Sequence, residues 1–293
     1  MLSFNIRDAP NVKDGEKLYR YNGILYPAIV SPAENLKALE SFQARPDDVM
    51  LVAYPKCGFN WMVAVLRKIM AAGAMVTKEA SQMPPLIEFC SPEVQKIMDA
   101  APCPRILGTH LHPNNIPASF TAKRSKMLVV FRNPKDTAVS YYHFTCENPV
   151  LPQAKSWGDF YSKFMTGEVA WGSYFDHALA WEKCMDDPNV MIVTFEDMKK
   201  NLQQQIKEVS KFLNVSLAED EITVIAKEST FSVMKEHSKE SHGQMGDVFF
   251  RKGEVGDWKN HFSKAQSQEM DTVFEKHLSG TRLADKLQYH LYC

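Results

Sequence analysis

Four short stretches of the chain are apolar almost without interruption: "DVMLVAY" (48–54), "RILGTH" (105–110), "KMLVVFR" (126–132) and "NVMIVTF" (189–195). A strand with one wet face alternates polar and apolar residues, whereas one covered on both faces does not. These runs therefore predict parallel strands inside a sheet. Between them the spacing becomes helical. Trp61, Val65, Leu66, Ile69 and Met70 share one helical stripe, with Arg67 and Lys68 placed in its last turn and Gly73 as its stop. In "NPKDTAVSYYHF", Asn133 is the expected N-cap, Pro134 takes the first helical position and Asp136 the third. "EDMKKNLQQQIKEVSKFLN" and "LAEDEITVIAKEST" read as further helices. Strand–helix alternation predicts an α/β fold: a single domain over residues 1–293, with a central parallel sheet flanked by helices. Residues 145–156 carry two prolines and predict a surface loop. The polar, glycine-bearing stretch 235–257 predicts a long loop of the kind that forms lids or binding segments.

Composition narrows the function classes. The 293 residues carry a formal charge of −1, so nothing draws the whole chain to nucleic acid or to an anionic membrane, and any anion site must be local. No apolar run reaches transmembrane length, and the opening residues lack the apolar core of a signal peptide. Six scattered cysteines without paired spacing point to reduced thiols and a cytosolic protein.

In open α/β sheets ligands bind beyond the carboxyl ends of the strands, so the residues following each apolar run carry the candidate chemistry. They are Lys56-Cys57-Gly58, His110, Arg132 and Glu196-Asp197. "YPKCGFNW" reads as a strand–loop–helix phosphate cradle. Gly58 lets the backbone turn so that helix amides face an anion, and Lys56 adds a full charge. The Walker A spacing is absent, which argues against an Mg-nucleotide hydrolase. A solvated loop cation is the alternative for Lys56. Arg132 offers a planar fork to a phosphate, or else pairs on the surface with Asp136, and Ser140 follows it about two turns into the helix. Arg251, Lys252 and Gly253 form a basic turn flanked by Phe249, Phe250 and Trp258, which can order it; otherwise it is a solvated charge cluster. His110 can act as a general base or be a hydrogen-bonded core histidine. With His112 it lacks a further ligand at metal spacing, so no metal is expected.

Together these segments resemble the cytosolic sulfotransferases. "YPKCGFNW" is similar to that family's 5′-phosphosulfate loop, Y-P-K-S-G-[TS]-x-W. "FRNPKDTAVSYYHF" and "FRKGEVGDWKNHF" resemble its two 3′-phosphate segments, and Thr109-His110 stands where the family carries its catalytic histidine. The resemblance runs in order over essentially the whole chain. It implies a P-loop NTPase-like sulfotransferase fold and transfer of a sulfonate from 3′-phosphoadenylyl sulfate (PAPS, leaving the bisphosphate PAP) to a hydroxyl or amine of a small acceptor. By position it implies that Lys56, Cys57, Gly58, Phe59, Asn60 and Trp61 hold the phosphosulfate. Arg132, Ser140, Arg251, Lys252 and Gly253 would take the 3′-phosphate, with Phe249 in the same segment. Thr230, Phe231 and Met234 would border adenine, and Leu86, Phe89 and Phe144 would line the acceptor pocket. His110 is the implied base, Lys56 the implied stabiliser of the leaving oxygen, and Ser140 the implied restraint on Lys56. The aromatic content, 17 Phe and 10 Tyr, together with the residues that match the family's acceptor pocket, suggests a flat apolar acceptor such as a phenol, an iodothyronine like thyroxine or a steroid-like alcohol.

Several positions depart from the family pattern. Cys57 replaces a serine, and beside Lys56 at a helix N-terminus its thiol is expected to have a lowered pKa. Phe59 replaces a threonine, Phe195 a tyrosine that contacts nucleotide, and Gly108 a lysine, the last expected to open or neutralise the acceptor pocket. The family's dimer motif is broken in "KNHFSKAQSQ" by Lys264 and Gln268, which leaves a homodimer in doubt. A kinase on the same core, and a PAP- or PAPS-binding protein with little catalytic activity, are the rival readings.

Overall fold

The computed structural model describes residues 6–75 and 85–293; residues 1–5, the start of the stretch expected to lack an apolar leader, and 76–84 lie outside the described residues. The four apolar runs form one parallel sheet from β3 (Val49–Ala53), β4 (Ile106–Thr109), β5 (Lys126–Phe131) and β6 (Val190–Thr194), in the order β4-β3-β5-β6. A hairpin of β1 (Leu18–Tyr21) and β2 (Ile24–Pro27) stands apart from it. Every residue of β3 is buried, as its unbroken apolar run requires. Register aligns the strand ends: Val52 lies beside Thr109, Ala53 beside Val130 and Phe131 beside Thr194. The loops after β3, β4 and β5 therefore emerge along one edge. At the opposite edge the buried pair Arg105–Asp48 ties β3 to β4 with two hydrogen bonds of 2.8 and 2.6 Å.

The helix after β3, Phe59–Ala72, buries Trp61, Val65, Leu66, Ile69 and Met70 as the stripe predicts and ends at Gly73. Arg67 and Lys68 fall one turn short of its end rather than in the last turn. Asn133 caps Pro134–Glu147, its side chain accepting from the amide of Asp136 at 2.8 Å.

Two expectations need correction. The segment after β6 is not one helix but two, Phe195–Lys200 and Leu202–Phe212. Asn201 leaves helical geometry and caps the second helix by accepting from Gln204. The stretch 235–257 is not a long loop, because most of it is short helix: Phe231–Glu236, Ser238–His242, the 3-10 turn Gly243–Met245 and Gly246–Phe249. Gly246 marks a helix contact here. A β-carbon on it would lie 2.6 Å from the Ser238 backbone, so only glycine lets those two short helices nest. Residues 250–256 remain irregular and carry the basic triplet.

Candidate active site

The loop leaving β3 turns through two left-handed residues, Lys56 at φ 69° and Gly58 at φ 111°. No side chain caps the first turn of the helix that follows, so its leading amides face the open end of the sheet with the positive end of the helix dipole behind them. Gly58 is needed both for its φ and for closeness. A β-carbon there would approach the Phe195 ring to 3.1 Å.

Beyond this loop lies a cavity of about 290 Å³. Its wall includes Lys56, Gly58, Phe59, Asn60, Trp61, His110, Arg132 and Ser140, with Arg251, Lys252 and Gly253 across from them. Leu86, Phe89, Phe144, Phe195, Phe231 and Phe249 contribute apolar wall, as do Trp171, Val150 and Leu151. The cations expected from three separate segments are therefore brought together with the histidine.

Burial, reinforced by the charges of Arg132 and Arg251, pushes the Lys56 ammonium down from 10.5 to about 7. It donates to the Val248 carbonyl at 3.3 Å and sits 4.4 Å from the centre of the Phe144 ring. Its bonded partner is thus this carbonyl rather than Ser140. Arg132 does not pair with Asp136. It donates to the Glu254 carbonyl at 2.8 Å, lies 4.4 Å from the Phe195 ring centre, and leaves its buried Nε without a partner. Arg132 lines the cavity and keeps one buried N–H donor without a protein partner. Asp136 instead accepts from the amides of Gly256 and Trp258 at 2.7 and 2.9 Å, fastening the 250–256 segment to the Pro134–Glu147 helix.

Arg251 and Lys252 both pair with Asp257, at 2.6 and 2.7 Å. Burial raises the Asp257 carboxyl, but hydrogen bonds from Lys252, Arg251 and Asn260 outweigh it and hold the group well below the usual carboxylate range. Gly253, at φ 64°, lies against the Phe231 ring, which a β-carbon would meet at 2.3 Å. The Trp61 indole donates to the Ser229 carbonyl at 2.6 Å and meets Phe195 and Phe231 edge-on, so these rings form one apolar corner of the cavity. Thr230 and Met234 stand behind that corner, off the cavity wall. Thr230 caps Phe231–Glu236, and Met234 packs on the core.

His110 follows β4. Its Nδ1 lies 2.7 Å from the Ala53 carbonyl. A carbonyl can only accept, so Nδ1 carries the proton and Nε2 is left bare. Burial, with the Lys56 charge adding to it, pushes the imidazole down from 6.5 to about 4. It is a neutral base at neutral pH. Beneath it Glu88, fully buried, accepts from the His110 backbone N–H and the Thr109 hydroxyl, each at 2.8 Å. Burial raises the Glu88 carboxyl to about 7 against those hydrogen bonds. The segment carrying Glu88 is held to the edge of the sheet by a bridge from Leu86 to Gly108. Neither Glu88 nor Trp171 figures among the sequence-predicted site residues. The signal for Glu88 is a charge inside an otherwise apolar run, "LIEFC".

Two expectations about departures are overturned. Cys57 is fully buried, with Sγ 3.6 Å from the Thr137 hydroxyl, and burial pushes its thiol up to about 12 instead of down. Its side chain points away from the cavity; only its backbone shares the loop. Gly108 does not open the pocket, because the Phe59 ring occupies the space, 2.5 Å from where a β-carbon of residue 108 would stand. His112 meets the His177 ring edge-on, with ring centres 6.3 Å apart. Among the described residues no cluster of three or more His, Cys, Asp or Glu could hold a metal ion.

An uncapped helix N-terminus, three converging basic segments and a bare imidazole against an apolar slot define a group-transfer enzyme that handles a multiply charged anion. The sulfotransferase domain matches residues 46–282, and the chain belongs to the sulfotransferase family, a family of transferases. It is similar to Sulfotransferase 6B1 of Danio rerio, 59% identical over all of this chain and 99% of that one, and to Sulfotransferase 6B1 of Homo sapiens, 44% identical over 94% and 90%. Mouse sulfotransferase SULT7A1, solved in complex with PAP, superposes with a TM-score of 0.84 at 32% identity, covering 93% of this chain and 99% of that one. Retinol dehydratase, solved with retinol and PAP, shares the fold at 20% identity and a TM-score of 0.75, covering 95% of each chain. Among the described residues no helix is long and apolar enough to cross a membrane.

Proposed function

We propose that the protein is a PAPS-dependent sulfotransferase, one catalytic domain spanning the chain, which moves a sulfonate to the hydroxyl or amine of a small, flat, apolar acceptor. Phenols and iodothyronines such as thyroxine are the leading class. The single observation that supports this most is that a neutral imidazole, a partly neutralised lysine and an anion cradle share one cavity whose remaining wall is aromatic and aliphatic.

In this reading the loop Lys56–Trp61 takes the phosphosulfate, and Arg132 with Arg251, Lys252 and Gly253 takes the 3′-phosphate, Ser140 lying between. Trp61, Phe195 and Phe231 flank adenine, with Thr230 and Met234 behind. The acceptor lies on Leu86, Phe89 and Phe144. Its oxygen attacks sulfur while its proton passes to Nε2 of His110. The bond from sulfur to the bridging oxygen breaks, and the electron pair leaves on that oxygen beside the Lys56 ammonium. Lys56 and the amides supply the charge stabilisation that Mg²⁺ supplies in kinases. Bound anion raises the proton affinity of both His110 and Lys56, moving each toward its working range. Six free cysteines suit a reducing, cytosolic setting.

Labelled PAPS assayed against phenols, iodothyronines, steroids and aryl amines tests the reading. Transfer that His110→Ala abolishes, with PAP binding kept, supports it. Loss of PAP binding in that variant removes His110 from its assigned place. PAP binding without transfer to any acceptor leaves a nucleotide-binding protein instead.

A further inference from the structure

We propose that Phe59 and Gly108 form one matched element that holds the His110 imidazole in its working orientation and closes the acceptor side of the cavity with an aromatic ring. This rests on the reading of His110 as the base. Phe59 is the first residue of the Phe59–Ala72 helix, so its position is set by the β3 loop. Its ring reaches across to β4, where Gly108 lies beside Leu51. A β-carbon at 108 would stand 2.5 Å from Phe59 Cζ, 3.1 Å from Cε2 and 3.4 Å from Leu86 Cδ2. Gly108 has no positive φ, so the absence of a side chain serves the ring and not the backbone.

The same ring meets His110 edge-on at 5.1 Å, and Trp171 meets the imidazole at 5.1 Å as well. Trp171 is fixed in turn, its backbone N–H donating to the Leu25 carbonyl at 2.7 Å and its ring tilted on Phe89. With Nδ1 bonded to Ala53, the imidazole has two ring contacts and one hydrogen bond, and Phe59 is the contact that depends on residue 108. Any side chain there must displace the Phe59 ring by about 1 Å to reach ordinary contact, and that ring also touches His110. Phe59 also contributes to the burial that keeps the imidazole neutral. A wall of this kind selects acceptors whose reactive group sits on an apolar body and gives no partner to a charge beside it.

The test compares the intact protein with F59T, G108A and the double variant. The His110 imidazole is titrated by NMR without nucleotide, and kcat for a phenol and Kd for PAP are measured in parallel. G108A should lower kcat about tenfold or more while PAP affinity stays within about twofold. F59T should move the His110 titration up toward the ordinary imidazole range. In the F59T background G108A should cost nothing further. Additive losses, or a His110 titration that is the same with and without the Phe59 ring, overturn the pairing. Should G108A alone fail to fold, a normally folded double variant supports the clash, and a misfolded one overturns it. If the intact protein transfers no sulfonate to any acceptor, the transferase reading falls, and the His110 titrations across the four proteins still decide the pair.

Discussion

Replacing Lys56 by methionine separates what this residue costs the fold from what it does for the ligand. In the nucleotide-free protein the ammonium is held among protein atoms near Arg132 and Arg251, and its pKa falls from 10.5 to about 7. Such a difference corresponds to roughly 5 kcal/mol at 1.36 kcal/mol per pH unit. Lys56 is only partly buried and borders an open cavity, so solvent screening cuts the realised cost to about 2 kcal/mol. The sign follows from linkage. Between about pH 7 and 10.5 the unfolded chain binds the lysine proton and the folded chain does not, so stability rises with pH across that window. Below about pH 7 the full cost is present; near 10.5 it is gone. Lys56→Met should therefore stabilise the nucleotide-free protein at pH 6.5 by about 2 kcal/mol, and by much less at pH 10. Urea unfolding of both proteins at the two pH values measures this. With excess PAP the order should reverse, since the wild type gains binding energy that the variant lacks. A stability difference independent of pH, or a variant less stable at pH 6.5 without nucleotide, refutes the reasoning.

Three further outcomes are expected. Arg251→Ala should weaken PAP by about 1.5–3 kcal/mol while leaving adenosine 5′-monophosphate nearly unaffected, because only the 3′-phosphate loses its partner; equal losses in calorimetry would place Arg251 elsewhere. For the free enzyme, kcat/KM for PAPS should fall below about pH 4 as His110 takes a proton and above about pH 7 as Lys56 loses one, with the kcat profile displaced to higher pH because bound anion raises both groups. An unshifted kcat profile would detach those residues from the ligand. Iodoacetamide at pH 7.5 should leave activity intact, since burial keeps Cys57 a thiol up to about 12; inactivation that PAP prevents would overturn this.

What could be read from the sequence was whatever burial imposes on neighbouring residues. Strands covered on both faces must be apolar throughout, so all four were visible, and with them the edge where Lys56, His110 and Arg132 emerge. The Asn133 cap was visible because capping depends on a four-residue pattern. The helices of 235–257 were not, for they are short, polar and mostly exposed, and what holds them is the contact of Gly246 on Ser238.

The departures from the family pattern show the limit most clearly. Read singly, Phe59 is a lost hydroxyl that weakens the case for catalysis, and Gly108 is a lost lysine that opens or neutralises the acceptor pocket. In the fold the ring of one fills the space left by the other, 49 positions away, and the result is an imidazole held on two sides. Cys57 fails in the opposite direction. A lysine neighbour and a helix N-terminus lower a thiol's pKa only where the sulfur shares their solvent and field. Here Sγ turns inward to Thr137, and desolvation wins over proximity. A substitution in a site loop is therefore weighed by which way its side chain leaves the backbone, and that direction is a property of the packed fold. By that measure Phe59 belongs to the acceptor wall and Cys57 to the core, although the two are separated by a single glycine.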